Sequence, residues 1–318
     1  MKTFNFGIIG AGNIANRFCD AVKLVDGAKV IAVASATPNK AKSFAERNEI
    51  ENHYDSYAEM LDRDDIDAVY IATTHNFHYE NAMLCIEKGK PFICEKCFML
   101  TKAEAEAVFN AAKAKGIFCM EAMWSRFLPI IKKAKEWVDS GRLGEIDLAT
   151  FIIGFKADED PNGRMYNPKL AGGAMYDIGV YAIEMTTFFI NENLKDVKSV
   201  ITRTPKGNVD KVDSMTLQFD NCVANLNCIM TAGVQNELNI YGTNGRIFIK
   251  DPHFGDTCTL IDANGVAETY YSRLDNGFEH QIREVISCVN AGKLESDVIP
   301  HKDTLQCAEI FDICLETK

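Results

Sequence analysis

Near the start of the chain an apolar run, Phe6-Gly7-Ile8-Ile9, enters the turn Gly10-Ala11-Gly12-Asn13-Ile14-Ala15. An amphipathic stretch follows, with Ile14, Phe18, Ala21, Val22 and Val25 on one face. Strand, G-x-G-x-x-A and helix in that order constrain the fold more than any other feature of the chain. Gly10 permits the tight turn, Gly12 has no Cβ and lets a pyrophosphate approach the backbone, and Ala15 lets the helix pack close to the strand. The free amides and dipole at the helix N-terminus favour phosphates. Gly10, Gly12, Asn13 and Ile14 are therefore candidate dinucleotide-binding residues.

Up to about residue 121 the pattern alternates. Buried strands are predicted at 30–35, 67–72, 91–94 and 117–121, with helices at 39–47, 78–88 and 101–115 between them. Thr101 and Glu104 form a capping box for the last helix, and Gly116 lies just past its end. Continuous apolar strands alternating with helices predict a parallel, doubly wound Rossmann sheet for residues 1–121. Ligands of such sheets sit at the carboxyl ends of the strands, here Gly10, Ser35, Thr73 and Glu95. After Met123 the pattern changes. A helix at 129–140 precedes strands at 146–155, 197–203, 214–219, 222–230, 237–241 and 246–250, the last pair joined at Thr243-Asn244-Gly245. Helices are predicted at 173–190, 278–290 and 302–315. Residues 122–318 thus read as an α+β domain with a largely antiparallel open sheet, whose outer face a second copy could cover.

The chain has 318 residues, enough for two cores, and a net charge of −11. That charge argues against nucleic acid or an anionic membrane as partner. There is no long apolar run and no export signal, so the eleven cysteines read as buried, reduced thiols of a cytoplasmic protein. Cys94-Glu95-Lys96-Cys97 spells C-x-x-C and His75 and His78 spell H-x-x-H. Neither has the further ligands a metal site needs, and no metal is expected.

The loop after the second strand reads Ala34-Ser35-Ala36-Thr37-Pro38-Asn39-Lys40. NAD-selective sheets usually place a carboxylate there for the ribose 2′-hydroxyl. This loop has none. Ser35 and Thr37 can donate hydrogen bonds and Lys40 supplies charge, so NADP is expected over NAD.

These motifs, with others in the same order, resemble the glucose–fructose oxidoreductase/inositol dehydrogenase (Gfo/Idh/MocA) family. Thr73-Thr74-His75-Asn76-Phe77-His78 is similar to its T-P-x-x-x-H strand end, with Thr74 in place of Pro. Cys94-Glu95-Lys96-Cys97 is similar to its E-K-P, with Cys97 in place of Pro. Gly172-Gly173-Ala174-Met175-Tyr176-Asp177-Ile178-Gly179-Val180-Tyr181 resembles its G-G-x-x-x-D-x-G-x-(H/Y). Met120 to Pro129 is most similar to the trans-dihydrodiol/xylose dehydrogenase branch. A non-proline cis bond is costly, so the Lys96–Cys97 bond is expected to be trans and Lys96 slightly displaced.

The resemblance implies hydride transfer at a nicotinamide, with Lys96 and Tyr181 as the acid–base pair acting on a sugar, polyol or trans-diol. Asp177, four residues before Tyr181, either joins them or caps its helix. The resemblance further implies that Glu95 and Lys96 meet the nicotinamide ribose and that Thr73, Thr74, Asn76 and His78 border the cofactor cleft. It places Trp124 and Arg126 beside the substrate, with interdomain packing the alternative for Trp124, and puts Phe155 at a loop that could cover the site. It also implies a homodimer or higher homo-oligomer, through strands at 223–230 and 237–249. Two rivals remain. One is an enzyme that retains NAD and uses transient oxidation for elimination or glycoside cleavage. The other is a non-catalytic nicotinamide sensor on the same fold.

Overall fold

The apolar strand that precedes the glycine turn is the centre of a sheet. In the computed structural model, which describes residues 3–316, β1 (Phe4–Ile9) pairs in parallel with β2 (Ala28–Ala34) and β4 (Ala68–Ile71). β3 (Asn52–Tyr54), β5 (Phe92–Cys94) and β6 (Cys119–Glu121) complete a six-stranded parallel sheet in the order β3-β2-β1-β4-β5-β6. This is the doubly wound order whose direction reverses at β1 and β4. The crossovers are α1 (Asn13–Val22), α2 (Lys40–Asn48), the short α3 (Tyr57–Leu61), α4 (His78–Glu87) and α5 (Lys102–Lys115). Thr101 caps α5 by accepting from Glu104 N at 3.2 Å, and Gly116 ends it at φ +67.

The chain divides into two compact units. The first runs through Trp124 and takes in Asn276–Leu305; the second is Ser125–Asp275 with the chain from Gln306 onward. The sequence division at residue 121 had put 276–305 in the second domain. The reason for the difference lies in the helix Phe278–Asn290, whose apolar face (Phe278, Ile282, Val285 and Cys288) packs beside α1. Periodicity shows that such a face is buried but not against what. Arg283 also donates to Leu24 O at 2.9 Å, and Cys119 N donates to Leu294 O at 3.2 Å.

The second unit is built on eight strands. After α6 (Pro129–Asp139) come β7 (Ile146–Gly154), α7 (Val180–Phe189), β8 (Leu194–Arg203), β9 (Asp210–Phe219) and β10 (Val223–Ile229). Then come β11 (Glu237–Gly242), β12 (Gly245–Lys250), β13 (Thr257–Asp262) and β14 (Ala267–Tyr271). Their order is β14-β13-β12-β11-β7-β10-β9-β8, antiparallel except for the β7–β10 pair. The sheet is therefore largely antiparallel, as read from the sequence. β13 and β14 had not been anticipated. α8 (Phe278–Asn290) and α9 (His301–Leu315) close the chain.

The helix expected over 173–190 is not one element. Gly173 sits at φ +127, a wide π-helical turn spans Met175–Gly179, and α7 follows. A Cβ on Gly173 would collide with the buried Asp210 carboxylate, whose Oδ2 accepts from Met175 N at 2.6 Å. A Cβ on Gly172 would come within 2.7 Å of the carbonyl oxygens of Arg164 and Met165. Both glycines of the G-G motif are thus required by close backbone and carboxylate contacts.

Candidate cofactor and active-site residues

At the β1–α1 turn, Gly10 has φ +99, and a Cβ there would lie 2.7 Å from Ala72 O. Gly12, the residue before α1, has no neighbour closer to a hypothetical Cβ than Ala72 O at 3.9 Å. No side chain caps α1, so its first amides remain available. Open space, free amides and a helix N-terminus together suit a pyrophosphate. The residues present therefore fit a dinucleotide.

A cavity of about 540 Å³ adjoins this turn, lined by Gly12, Asn13, Asn16, Lys40, Ser43 and Arg47 among others. No carboxylate lines it. Ser35 is nearly buried, and its Oγ accepts from Thr37 N at 3.2 Å, so these two shape the loop that leads to Asn39 at φ +62 and into α2. Lys40 lines the cavity as its sequence position suggested. Arg47 and Ser43 were not anticipated, because they sit within α2 beyond the loop that the motif covers.

At the ends of β4 and β5 the residues divide. Thr73 Oγ1 accepts from Asn81 Nδ2 at 3.2 Å, and Thr74 Oγ1 donates to Asn76 Oδ1 at 2.7 Å. His78 does not present its ring to a cleft. It is wholly buried, with Nδ1 2.8 Å from Cys97 O and Nε2 3.2 Å from Thr73 O. Burial holds it below the usual imidazole range. It braces the β4 loop against the β5 turn.

Glu95 is buried, and Tyr70 Oη donates to its Oε1 at 2.5 Å. Burial pushes this carboxyl up to about 7; the Tyr70 hydrogen bond and the Lys96 charge oppose the rise. Lys96 is half-buried beside it. The Lys96–Cys97 peptide is cis, contrary to the trans bond expected from local preference. Tertiary surroundings fix the turn: Cys97 and Phe98 are buried, Phe98 N donates to Glu121 Oε1 at 3.0 Å, and His78 Nδ1 faces both the Cys97 and Phe98 carbonyls. The Cys94 thiol is buried and held well above its usual range, so it supplies no thiolate to the C-x-x-C. All eleven cysteines are free and buried. Among the described residues no group of three His, Cys, Asp or Glu is placed to hold a metal.

Trp124 is buried in the first unit. The Arg17 guanidinium lies 4.5 Å from its ring centre and 4.6 Å from that of Phe278, and Arg17 donates to Asn276 O at 2.7 Å. This sandwich packs Trp124 within the first unit.

In the second unit Asp177 lies in the π-helical turn and not at a helix cap. Its Oδ1 accepts from Arg164 at 2.7 Å. Tyr181 is nearly buried in the first turn of α7, its ring centre 5.5 Å from that of His253. His253, in the β12–β13 connection, was missed because no sequence pattern ties it to Tyr181. Phe155 is exposed just past β7. Arg126 is not available to a substrate. It is fully buried, with a nitrogen 2.6 Å from Glu184 Oε2, and it also donates to Glu184 O and stacks on Phe188.

A doubly wound sheet with a pyrophosphate-fitting turn, joined in one chain to an open antiparallel sheet, defines a two-unit dinucleotide-binding protein. Residues 4–123 match the profile of an oxidoreductase family with an NAD-binding Rossmann fold, and residues 131–248 match a Gfo/Idh/MocA C-terminal domain. The chain belongs to the Gfo/Idh/MocA family and is an NAD(P)-dependent oxidoreductase. It is 29% identical to D-xylose 1-dehydrogenase (NADP+) of Hypocrea jecorina, over 98% of this chain and 91% of that one. It is 28% identical to trans-1,2-dihydrobenzene-1,2-diol dehydrogenase of Mus musculus, over 96% and 94%. A 3-ketoreductase from Actinomadura kijaniata, solved with TDP-benzene and NADP, superposes with a TM-score of 0.85 at 25% identity, covering 99% of this chain and 97% of that one.

Proposed function

We propose that this enzyme interconverts a secondary alcohol of a sugar, cyclic polyol or trans-dihydrodiol with its carbonyl, preferring NADP, with Lys96 and Tyr181 as acid–base residues. The observation that carries the reading is the β1–α1 turn, where Gly10 requires a left-handed backbone and Gly12 leaves open space at the free amides of α1. The relatives' names, D-xylose 1-dehydrogenase (NADP+) and trans-dihydrodiol dehydrogenase, support the substrate class. When bound, the nicotinamide ring gives or takes the hydride. The side chains manage the proton. Tyr181 takes the hydroxyl proton in oxidation and returns it in reduction. A free tyrosine titrates near pH ~10, and an ammonium such as that of Lys96 favours its phenolate. Asp177, held by Arg164, orients the substrate hydroxyls or this pair.

The enzyme is further proposed to be a cytoplasmic homodimer. No helix among the described residues is long and apolar enough to cross a membrane. One face of the larger sheet leaves Leu148, Ile152, Ile229, Tyr241 and Phe248 only half-buried, which suits a second copy. Sedimentation that gives only monomer at micromolar concentration would remove the dimer.

The test of function is formation of reduced nicotinamide from NADP and, separately, NAD, across aldoses, inositols and trans-dihydrodiols. Turnover with one class, lost in Tyr181→Phe and in Lys96→Met while dinucleotide binding persists, is the expected result. Unchanged turnover in either variant removes that residue from the mechanism.

A further inference from the structure

The chain carries a net charge of −11, yet the cavity beside the glycine turn is lined by two cations and no acid. Lys40, Ser43 and Arg47 stand at i, i+3 and i+7 on α2, so they share one face of that helix. Neither the Lys40 ammonium nor the Arg47 guanidinium has an ionic or hydrogen-bonding partner among the described residues, and both are exposed. Across the cavity stand Gly12, Asn13 and Asn16 of the turn and α1. Asn48 Nδ2 donates to Asn16 Oδ1 at 2.9 Å, which fixes α2 against α1 and leaves the Asn16 amide nitrogen as the donor available to the cavity. Every polar side chain that lines this space can donate a hydrogen bond, and two carry full positive charge. That is the chemistry of a dianionic oxyanion.

We infer that Arg47, with Ser43, is a specificity-determining residue for the 2′-phosphate of NADP, closing the far side of a pocket whose near side is Lys40. The inference rests on the NADP preference proposed above and extends it into the body of α2. Seven helical residues separate Lys40 and Arg47 by about 10 Å along the axis, a span that two long side chains can close around one phosphate. A guanidinium presents a planar fork to phosphate oxygens, and an ammonium presents a point charge; the two are complementary in one site. NAD has a hydroxyl in place of this phosphate, so Arg47 contributes to NADP affinity and not to NAD affinity.

The experiment is calorimetric binding of NADP, NAD, 2′,5′-ADP and 5′-ADP to the full chain, with Arg47→Ala and Arg47→Lys. Arg47→Ala is expected to weaken NADP and 2′,5′-ADP by about tenfold or more, the size of a lost charge-assisted hydrogen bond, and to leave NAD and 5′-ADP unchanged. Arg47→Lys recovers part of the loss, and both variants keep the wild-type melting temperature, since the side chain is exposed and makes no hydrogen bond or ion pair among the described residues. Equal weakening of all four ligands, or none, overturns the role of Arg47 while leaving the NADP preference standing. A wild-type protein that binds 2′,5′-ADP no better than 5′-ADP overturns both.

Discussion

Replacing Glu95 by Gln should stabilise the cofactor-free protein at neutral and higher pH and do almost nothing in acid. Glu95 is buried at the end of β5, and burial raises its carboxyl from the model-compound 4.5 to about 7. The folded state therefore holds a proton that the unfolded chain has released between those values. A group raised in this way contributes stability that is fully present below pH 4.5 and is lost as pH climbs through about 7. The rise of about 2.5 units, at 1.36 kcal/mol each, corresponds to about 3 kcal/mol. Gln carries no charge at any pH, and its carbonyl can still accept the Tyr70 hydrogen bond. The stability difference between the variant and the wild type should thus widen by about 3 kcal/mol in the variant's favour from about pH 4.5 to about pH 8. In a domain of this size that is a melting shift of about 6–12 °C. Urea and thermal unfolding of both proteins without cofactor, at intervals across that range, would measure it. Parallel curves for the two proteins would refute the reasoning, since they would mean that Glu95 ionises in the fold as readily as in the unfolded chain.

Two further outcomes test the second unit. Arg126→Met leaves the wholly buried Glu184 carboxylate without its guanidinium and should cost about 3–5 kcal/mol. Arg126→Met combined with Glu184→Met should recover most of that in a double-mutant cycle by urea unfolding, and an additive double mutant would remove the ion pair from the account. Asp213 is fully buried, and burial together with the neighbouring Asp210 carboxylate holds its carboxyl far above the usual range. Asp213→Asn, which mimics the protonated acid, should unfold near wild type below about pH 4, gain on it as pH rises because it lacks the wild type's decline, and show a constant difference only in alkali, where the raised group finally ionises. Asp210→Asn, which weakens the acceptor for Met175 N beneath the turn that carries Asp177, should destabilise at neutral pH by about 1–3 kcal/mol in the same assay.

Features that act through the local backbone were legible in the sequence. Gly10 is a glycine because a left-handed turn against Ala72 O leaves no room for a Cβ, Gly12 keeps open space at the first amides of α1, and the strand before and helix after them supply the context within a few residues. The parallel order of β1 to β6 follows from continuous apolar strands alternating with helices. The β13–β14 hairpin was also present as Asn264-Gly265 between alternating residues, with Gly265 at φ +79. It was overlooked because β14 is mostly exposed and carries a weak apolar signal.

The residues misread share a different property: each is defined by a partner distant in sequence. Arg126 was placed beside the substrate by the family resemblance alone. Its actual partner, Glu184, lies 58 positions away on α7, and the pair is buried. His78 matched a motif position, but its ring is spent on carbonyls 19 and 20 residues further along. Those contacts, with Glu121, also select the cis Lys96–Cys97 turn against its local preference. Arg47 fell outside the loop in which cofactor selectivity is usually sought, although helical spacing alone puts it on the same face as Lys40. Selectivity in a doubly wound sheet should therefore be read along the whole inner face of the second helix.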